Sequence, residues 1–97
     1  MARFVTTIQF TDRGVGAIRE TCRRANEFRE RSRTLGVEIV DLYWTLGAQD
    51  GVIVFDAPDE ETATAVMLDL ASRESVRPVT SRAFTAEEIE GILNKLD

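Results

Sequence analysis

The chain has 97 residues, a net charge of −5, one cysteine and no histidine, and these features exclude several classes of protein. One cysteine cannot form an internal disulfide, and the lack of histidine removes the commonest metal ligand and the commonest general base. Nucleic-acid surfaces are normally basic, and no segment has the ~20 apolar residues of a membrane span. We therefore expect one cytoplasmic domain over residues 1–97, without metal, cofactor, nucleic acid or membrane association.

Residues 3–10 predict a first strand, because their side chains alternate between two faces of different polarity. One face carries Phe4, Thr6, Ile8 and Phe10, and the more polar face carries Val5, Thr7 and Gln9.

Residues 13–35 predict one long amphipathic helix, which Thr11 and Asp12 can cap and Gly36 ends. The helix is longer than the average of ~11–12 residues, so we expect a kink near Thr21. Cys22 should be buried on its apolar stripe as a small hydrophobic residue. The stripe consists of Val15, Ile18, Cys22, Ala25, Phe28, Ser32 and Leu35.

The same segment is positively charged, with seven arginines and four acids between residues 12 and 35. The spacing predicts ion pairs within the helix, from Glu20 to Arg24 and from Glu27 to Arg31. The alternative is that this positive helix meets an acidic patch on another subunit or partner.

Residues 37–56 predict a hairpin that is apolar on both faces, with a turn at residues 47–51. Val52 to Phe55 are apolar without a break, whereas strands with one solvated face alternate. In the first strand of the hairpin, simple alternation places Val37, Ile39 and Tyr43 on one face and Val40, Leu42, Trp44 and Leu46 on the other.

Residues 57–97 predict a helix, a strand and a second helix. Asp59 can cap a helix that runs from about residue 60 to 71. Residues 76–84 predict a strand, and Pro78 places it at a sheet edge because proline cannot donate to a ladder. Thr85 and Glu88 have the spacing of a capping box. The short helix that follows carries Ile89, Ile92, Leu93 and Leu96 on one side.

The order β-α-β-β-α-β predicts an α+β ferredoxin-like fold with a four-stranded antiparallel sheet in the order 4-1-3-2. Both helices then cover one face of the sheet and leave the other face open. We expect a homodimer through this open face, because burying ~600 Å² of apolar surface is worth on the order of 15 kcal/mol before association costs. The alternative is that the C-terminal helix folds back over it.

The chain resembles the GYD domain family along essentially its whole length. The matching pieces are Phe10-Thr11-Asp12-x-Gly14, Tyr43-x-Thr45-x-Gly47-x-x-Asp50, Ala57-Pro58-Asp59 and Arg82-Ala83-Phe84-Thr85. The family's Gly-x-Tyr-Asp motif reads Gly47-Ala48-Gln49-Asp50 here, so Gln49 replaces the tyrosine. The resemblance implies a dimeric α+β barrel. Its barrel relatives include small monooxygenases, muconolactone isomerases and cyclases, which bind hydrophobic substrates between helices and sheet.

Several polar residues are candidates for a site. Gly47 and Asp50 either build the turn itself, with a positive φ and a capping carboxylate, or line a pocket mouth together with Gln49. Arg82 is either an edge residue that opposes aggregation or a partner for Asp50 or a bound anion. The candidate ligand-binding residues are Thr7, Gln9, Gly47, Gln49, Asp50 and Arg82.

Two functions remain open. The first is a non-catalytic oligomeric domain that binds a small hydrophobic ligand or a protein partner. The alternative is a cofactor-independent enzyme, similar to a monooxygenase, isomerase or cyclase, that acts on a small hydrophobic molecule. Its candidate catalytic residues are an acid–base pair from Asp50, Asp41 and Tyr43, with Arg82 stabilising negative charge. An enclosed pocket above ~300 Å³ would favour the enzyme.

Overall fold

The computed structural model describes residues 1–97 and is built on a four-stranded antiparallel sheet. The strands are β1 (Ala2–Phe10), β2 (Glu38–Trp44), β3 (Gly51–Ala57) and β4 (Val76–Ala83). They lie in the order β2-β3-β1-β4, which confirms the predicted order and the ferredoxin-like α+β fold. The strand with Pro78 is at the edge, as expected.

Three of the four helices begin at the predicted caps. The side chains of Thr11 and Asp59 accept hydrogen bonds from the backbone N–H groups of Gly14 and Thr62, at 3.1 and 2.7 Å. Thr85 and Glu88 form both bonds of the capping box. No helix is long and apolar enough to span a membrane. The helices are α1 (Asp12–Gly16), α2 (Thr21–Thr34), α3 (Glu60–Ser72) and α4 (Ala86–Leu93), with 3₁₀ turns at Ile18–Glu20 and Asn94–Leu96.

The prediction of a single helix over residues 13–35 is wrong, because the chain is interrupted at Ala17, where φ is −113° and ψ is 33°. In place of the kink expected near Thr21, a separate helix, α2, begins at that residue. The cause lies elsewhere in the chain. The loop before β4 holds α1, since Ser75 accepts from the Thr11 N–H at 3.1 Å and a Cβ on Gly14 would collide with the same carbonyl oxygen. The glycine therefore lets α1 pack directly on that loop.

The interruption also changes which residues of the predicted stripe are buried. Phe28 and Ser32 are buried, but Val15 and Ile18 are exposed because α1 and the 3₁₀ turn do not continue the phase of α2. The expectation that Cys22 is buried is wrong, and the thiol is exposed. Phe28 follows Cys22 by six positions, which places the two side chains about 120° apart around the helix.

The predicted ion pairs of α2 are replaced by others. Arg23 contacts both Glu20 and Glu27, at 2.6 and 2.5 Å. The two acids therefore do not form the predicted pairs with the arginines four residues after them. Arg31 contacts Asp69 of α3 at 2.9 Å, and this hydrogen bond lowers the pKa of the Asp69 carboxyl. The second pair joins two helices, which helix spacing alone could not show.

Strand β2 contains a β-bulge that corrects the predicted faces. Its pairing with β3 shifts register between Ile39 and Asp41, so one extra residue is inserted there. As a result Leu42 and Trp44 share the helix-covered face with Ile39, and Tyr43 lies on the opposite face. The placement of Tyr43 beside Ile39 was therefore wrong.

The core lies between the helices and one face of the sheet. The rings of Phe4 and Phe55 stack there with centroids 5.2 Å apart. Thr6 is buried among them, and its hydroxyl lies 2.8 Å from that of Thr80. Only 13 of 97 residues are buried, so this core is small and much apolar surface remains outside it. The buried apolar residues are Phe4, Phe28, Val37, Ile39, Ile53, Phe55, Ala57, Ala63 and Val66.

The other face of the sheet has no covering element. The register places Val54, Tyr43 and Val79 on it, and the last two are 60% and 67% exposed. Arg3 makes a two-pronged contact with Asp56 at one end of this face, at 2.9 and 3.0 Å. Helix α4 does not fold back over the face, because none of its residues is buried.

The Arg3–Asp56 contact gives a prediction about pH. The arginine's hydrogen bond holds the pKa of the Asp56 carboxyl below its usual value of 3.8. The contact therefore stabilises the fold above pH 4 and is lost as the pH falls toward the lowered pKa. We expect Asp56→Asn to reduce the free energy of unfolding by about 0.5–1 kcal/mol at pH 7, since both side chains are partly exposed.

Urea unfolding of the variant and the natural chain at several pH values measures this effect. The difference between them should shrink steadily below pH 4. Glu30→Gln removes an ion pair whose two side chains are about two-thirds exposed and serves as the control with a smaller effect. A difference that stays constant down to pH 2 would contradict the assignment.

The contact at Gly14 gives a second prediction about stability. Gly14→Ala should lower the free energy of unfolding by about 1–3 kcal/mol, because its Cβ collides with the Ser75 carbonyl. Gly16→Ala is the matched control, since nothing lies within 4 Å of its Cβ. It should be neutral or stabilise by up to ~1 kcal/mol. Equal effects of the two substitutions in urea unfolding would contradict this account.

Candidate functional site

The turn between β2 and β3 is held by hydrogen bonds at both ends. The Thr45 hydroxyl donates to the Gln49 carbonyl at 2.6 Å, and the Thr45 N–H donates to the Asp50 carbonyl at 2.9 Å. Gln9 of β1 supports the middle of the turn, since its side-chain amide donates to the Ala48 carbonyl at 3.1 Å. Gly47 has a φ of +127°, which agrees with the structural interpretation of this glycine.

Asp50 fastens this turn to the end of β1. Its Oδ2 accepts from the backbone N–H of Phe10 at 2.8 Å, and its own N–H donates to the Ile8 carbonyl at 2.7 Å. The carboxylate therefore caps a backbone amide, as one of the two hypotheses supposed, but the amide belongs to β1 and not to the turn itself.

The turn presents one apolar side chain to solvent. Leu46 is fully exposed, although its neighbours hold the backbone in a defined conformation. The sequence pattern placed Leu46 within the first strand of the hairpin, and β2 ends earlier, at Trp44. A leucine next to the positive-φ glycine of a turn was the signal that could have identified this displayed side chain.

A cleft lies behind the turn, between α2 and the helix-covered face of the sheet. Its volume is about 110 Å³, and its walls are mostly apolar. Trp44 closes one side and donates its indole N–H to the Thr21 hydroxyl at 3.0 Å. The charged part of its lining consists of Arg24, Glu27, Arg31, Asp50 and Arg73. The sequence did not predict Trp44 or Arg24 as part of a site, because the bulge in β2 and the position of α2 decide their placement.

The remaining candidate residues are spread over the molecule. Tyr43 and Asp41 lie on the open face, with the phenol oxygen 3.4 Å from the carboxylate. Thr7 lies on the same face, paired in register with Val52. Arg82 lies at the other end of β1, paired with Phe4, so it is not brought to Asp50. A catalytic role for Tyr43, Asp41 and Arg82 stays a prediction, as does ligand binding by Thr7.

Arg82 has local partners instead. Its guanidinium lies 4.4 Å from the centroid of the Phe84 ring and 5.7 Å from that of Phe4. One of its nitrogens is 3.7 Å from Glu88 in α4. These contacts fix the start of α4 on the edge of the sheet. No group of three or more Cys, Asp or Glu side chains converges as a metal site would require.

The sheet order, the covered and open faces, and the Gly47–Asp50 turn together define a small ferredoxin-like α+β domain of the GYD type. The model of the GYD domain matches residues 4–93, and the chain belongs to the GYD domain family. It is also similar to a protein of Thermus thermophilus named glutamine synthetase and cystathionine beta-lyase binding protein. The two are 34% identical over 90 residues, which cover 92% of this chain and 95% of the relative.

The Asp50 contact gives a prediction that separates a structural role from a chemical one. Asp50→Ala leaves the Phe10 N–H without its partner and should cost about 1–3 kcal/mol of unfolding free energy. Asp50→Asn retains an accepting oxygen at the same position and should cost less than about 1 kcal/mol. Chemical denaturation measures both values. Equal costs for the two substitutions would show that this hydrogen bond is not what the carboxylate supplies.

Proposed function

We propose that this chain is a non-catalytic, cytoplasmic, protein-binding domain that acts as a homodimer and needs no cofactor or metal. Its proposed partners are enzymes of the kind named for its relative, a glutamine synthetase or a cystathionine β-lyase. The observation that carries the proposal is the 34% identity to that binding protein over nearly the full length of both chains. Similarity of this extent supports a shared mode of action and not only a shared fold.

The turn between β2 and β3 is the proposed contact with the partner. Leu46 is fully exposed on a backbone that five hydrogen bonds already hold, those of Thr45, Gln9 and Asp50. A preordered apolar side chain loses little conformational entropy on binding, which favours affinity. The side chain of Gln49, half-buried beside it, adds a polar group to the same surface.

The open face of the sheet is the proposed dimer contact. Its centre is formed by valines from three strands, and its exposed Tyr43 and Val79 would be covered by a second sheet. An apolar face without cover typically marks an interface. The small number of buried residues in one copy also favours additional burial by assembly.

The enzyme hypothesis has less support from the site. The cleft beside Asp50 has a volume of about 110 Å³, whereas pockets for small-molecule ligands usually measure ~300–1,000 Å³. Asp50 already accepts a backbone hydrogen bond there, and Arg82 lies at the opposite end of β1. The geometry therefore favours protein binding over a reaction on a small hydrophobic molecule.

Binding to the two enzymes tests this proposal directly. The chain is immobilised and exposed to purified glutamine synthetase and cystathionine β-lyase from its own organism in a biolayer interferometry experiment. We expect saturable binding of at least one enzyme with a Kd of about 1 µM or tighter. Leu46→Glu should weaken binding at least ~10-fold, because an apolar contact is replaced by a charge.

The control is Leu35→Glu, which makes the same change at a half-exposed leucine that follows α2, far from the turn. Its affinity should equal that of the natural chain. If neither enzyme binds at ~100 µM, the proposed function is wrong. If binding occurs but Leu46→Glu and Leu35→Glu behave alike, the function stands and the turn is not the contact.

A further inference from the structure

The last part of the chain carries an apolar stripe that the rest of the chain covers only in part. We call residues 84–97 the C-terminal arm; it comprises Phe84, α4 and the terminal 3₁₀ turn. Leu93 and Leu96 are 50% and 80% exposed, and no residue of α4 is buried. Yet the arm is well ordered at its start, through the capping box and the Arg82–Glu88 contact. The exposed apolar residues are Phe84, Ile89, Ile92, Leu93 and Leu96.

The arm extends away from the body of the molecule. The radius of gyration is 14.7 Å, whereas a compact chain of this length has about 12.5 Å. The longest dimension is 53 Å, although a nine-residue strand such as β1 spans only about 30 Å. The arm follows Ala83, which pairs with Arg3 at the start of β1. The cleft behind the turn lies at the other end of the same strand, so the arm does not reach it within one chain.

The cleft offers an apolar surface of complementary character. Its walls are mostly apolar, and Trp44, which lines it, is 47% exposed. Arg24 lines the cleft and makes no ion pair within the chain, because the nearby acids Glu20 and Glu27 contact Arg23. The cleft therefore combines exposed apolar groups with an arginine whose charge is free for a partner.

The charges of the two regions are opposite. The arm carries four acids and one lysine between residues 86 and 97, a net charge of −3. Six residues of the segment 12–35 line the cleft, and the segment as a whole carries seven arginines and four acids, a net charge of +3. This complementarity selects a second copy of the chain as the occupant, because every copy presents both surfaces.

We propose that the arm of each copy packs its apolar stripe against the α2 cleft of the other copy in the homodimer. The inference rests on the homodimer of the proposed function. When two sheets pack face to face with their strands antiparallel, the arm end of one copy lies beside the turn end of the other. The two arm contacts are then equivalent, as the two-fold symmetry of a homodimer requires.

Cross-linking through the single natural cysteine tests the contact. Cys22 is exposed on α2, next to Thr21 of the cleft. The natural chain is co-expressed with Cys22→Ser/Leu96→Cys under a different tag, and the mixture is treated with a short bis-maleimide. We expect a covalent product that carries both tags, since the new thiol lies beside the natural thiol of the other copy.

The matched control is Cys22→Ser/Ala65→Cys, which places the thiol at an exposed position of α3. It should yield at least ~10-fold less of the two-tag product. A natural chain that is monomeric would overturn both this inference and the dimer. If the natural chain is dimeric but the mixture with Cys22→Ser/Leu96→Cys gives no more two-tag product than the control mixture, the arm contact alone is overturned.

A second measurement does not depend on where the cysteines lie. Leu93→Glu/Leu96→Glu should raise the dissociation constant of the dimer at least ~10-fold in sedimentation experiments, because it removes two exposed apolar groups and adds acids. These positions are outside the core, so folding is retained. Leu68→Glu, at an exposed leucine of α3, is the control and should leave the constant unchanged. Equal constants for the two variants would contradict the proposal.

Discussion

The structure depends on one constraint, a central strand that is apolar on both of its faces. In β3, Ile53 and Phe55 are buried beneath the helices, while Val52 and Val54 point to the opposite side of the sheet. The ferredoxin-like topology supplies helices for the first face only. Apolar surface on the second face is therefore left for an interaction outside the chain, and the proposed dimer follows from this requirement.

Gly47 and Asp50, which match the family motif, stabilise the turn that leads into this central strand. Gly47 allows the turn its positive φ, and Asp50 ties the turn to the end of β1. Gln49 contributes its carbonyl to the turn through Thr45, a contact that any residue at this position could make. Gln49, at the position where the family resemblance predicts a tyrosine, is thus compatible with the turn. The turn holds Leu46 exposed on a hydrogen-bonded backbone, which suits this side chain to contact with a protein partner.

The sequence predicts those parts of the fold that depend on local interactions. The caps at Thr11, Asp59 and Thr85 and the edge position of Pro78 are each decided by a few neighbouring residues, and all are confirmed. The strand order followed from the succession of elements and the short second connection. The residues that build the turn were also identified, since glycine and aspartate have specific roles in turns.

The sequence could not predict features that depend on contacts between distant segments. The bulge after Ile39 is set by pairing with β3, and it moves Trp44 to the cleft. The break at Ala17 reflects the packing of Gly14 against Ser75, more than fifty residues away in the chain. The pair between Arg31 and Asp69 depends on how two helices meet. Trp44, Ser75 and Arg31 from these features line the cleft, so the cleft was less predictable than the turn.

The mass of the chain in solution tests the central claim most directly. Sedimentation equilibrium between about 1 and 100 µM should give twice the monomer mass of 10.9 kDa for the natural chain. Val54→Lys, which places a charge at the centre of the open face, should give the monomer mass while keeping the same secondary structure by circular dichroism. A natural chain that remains at 10.9 kDa throughout this range would show that the open face needs no second copy.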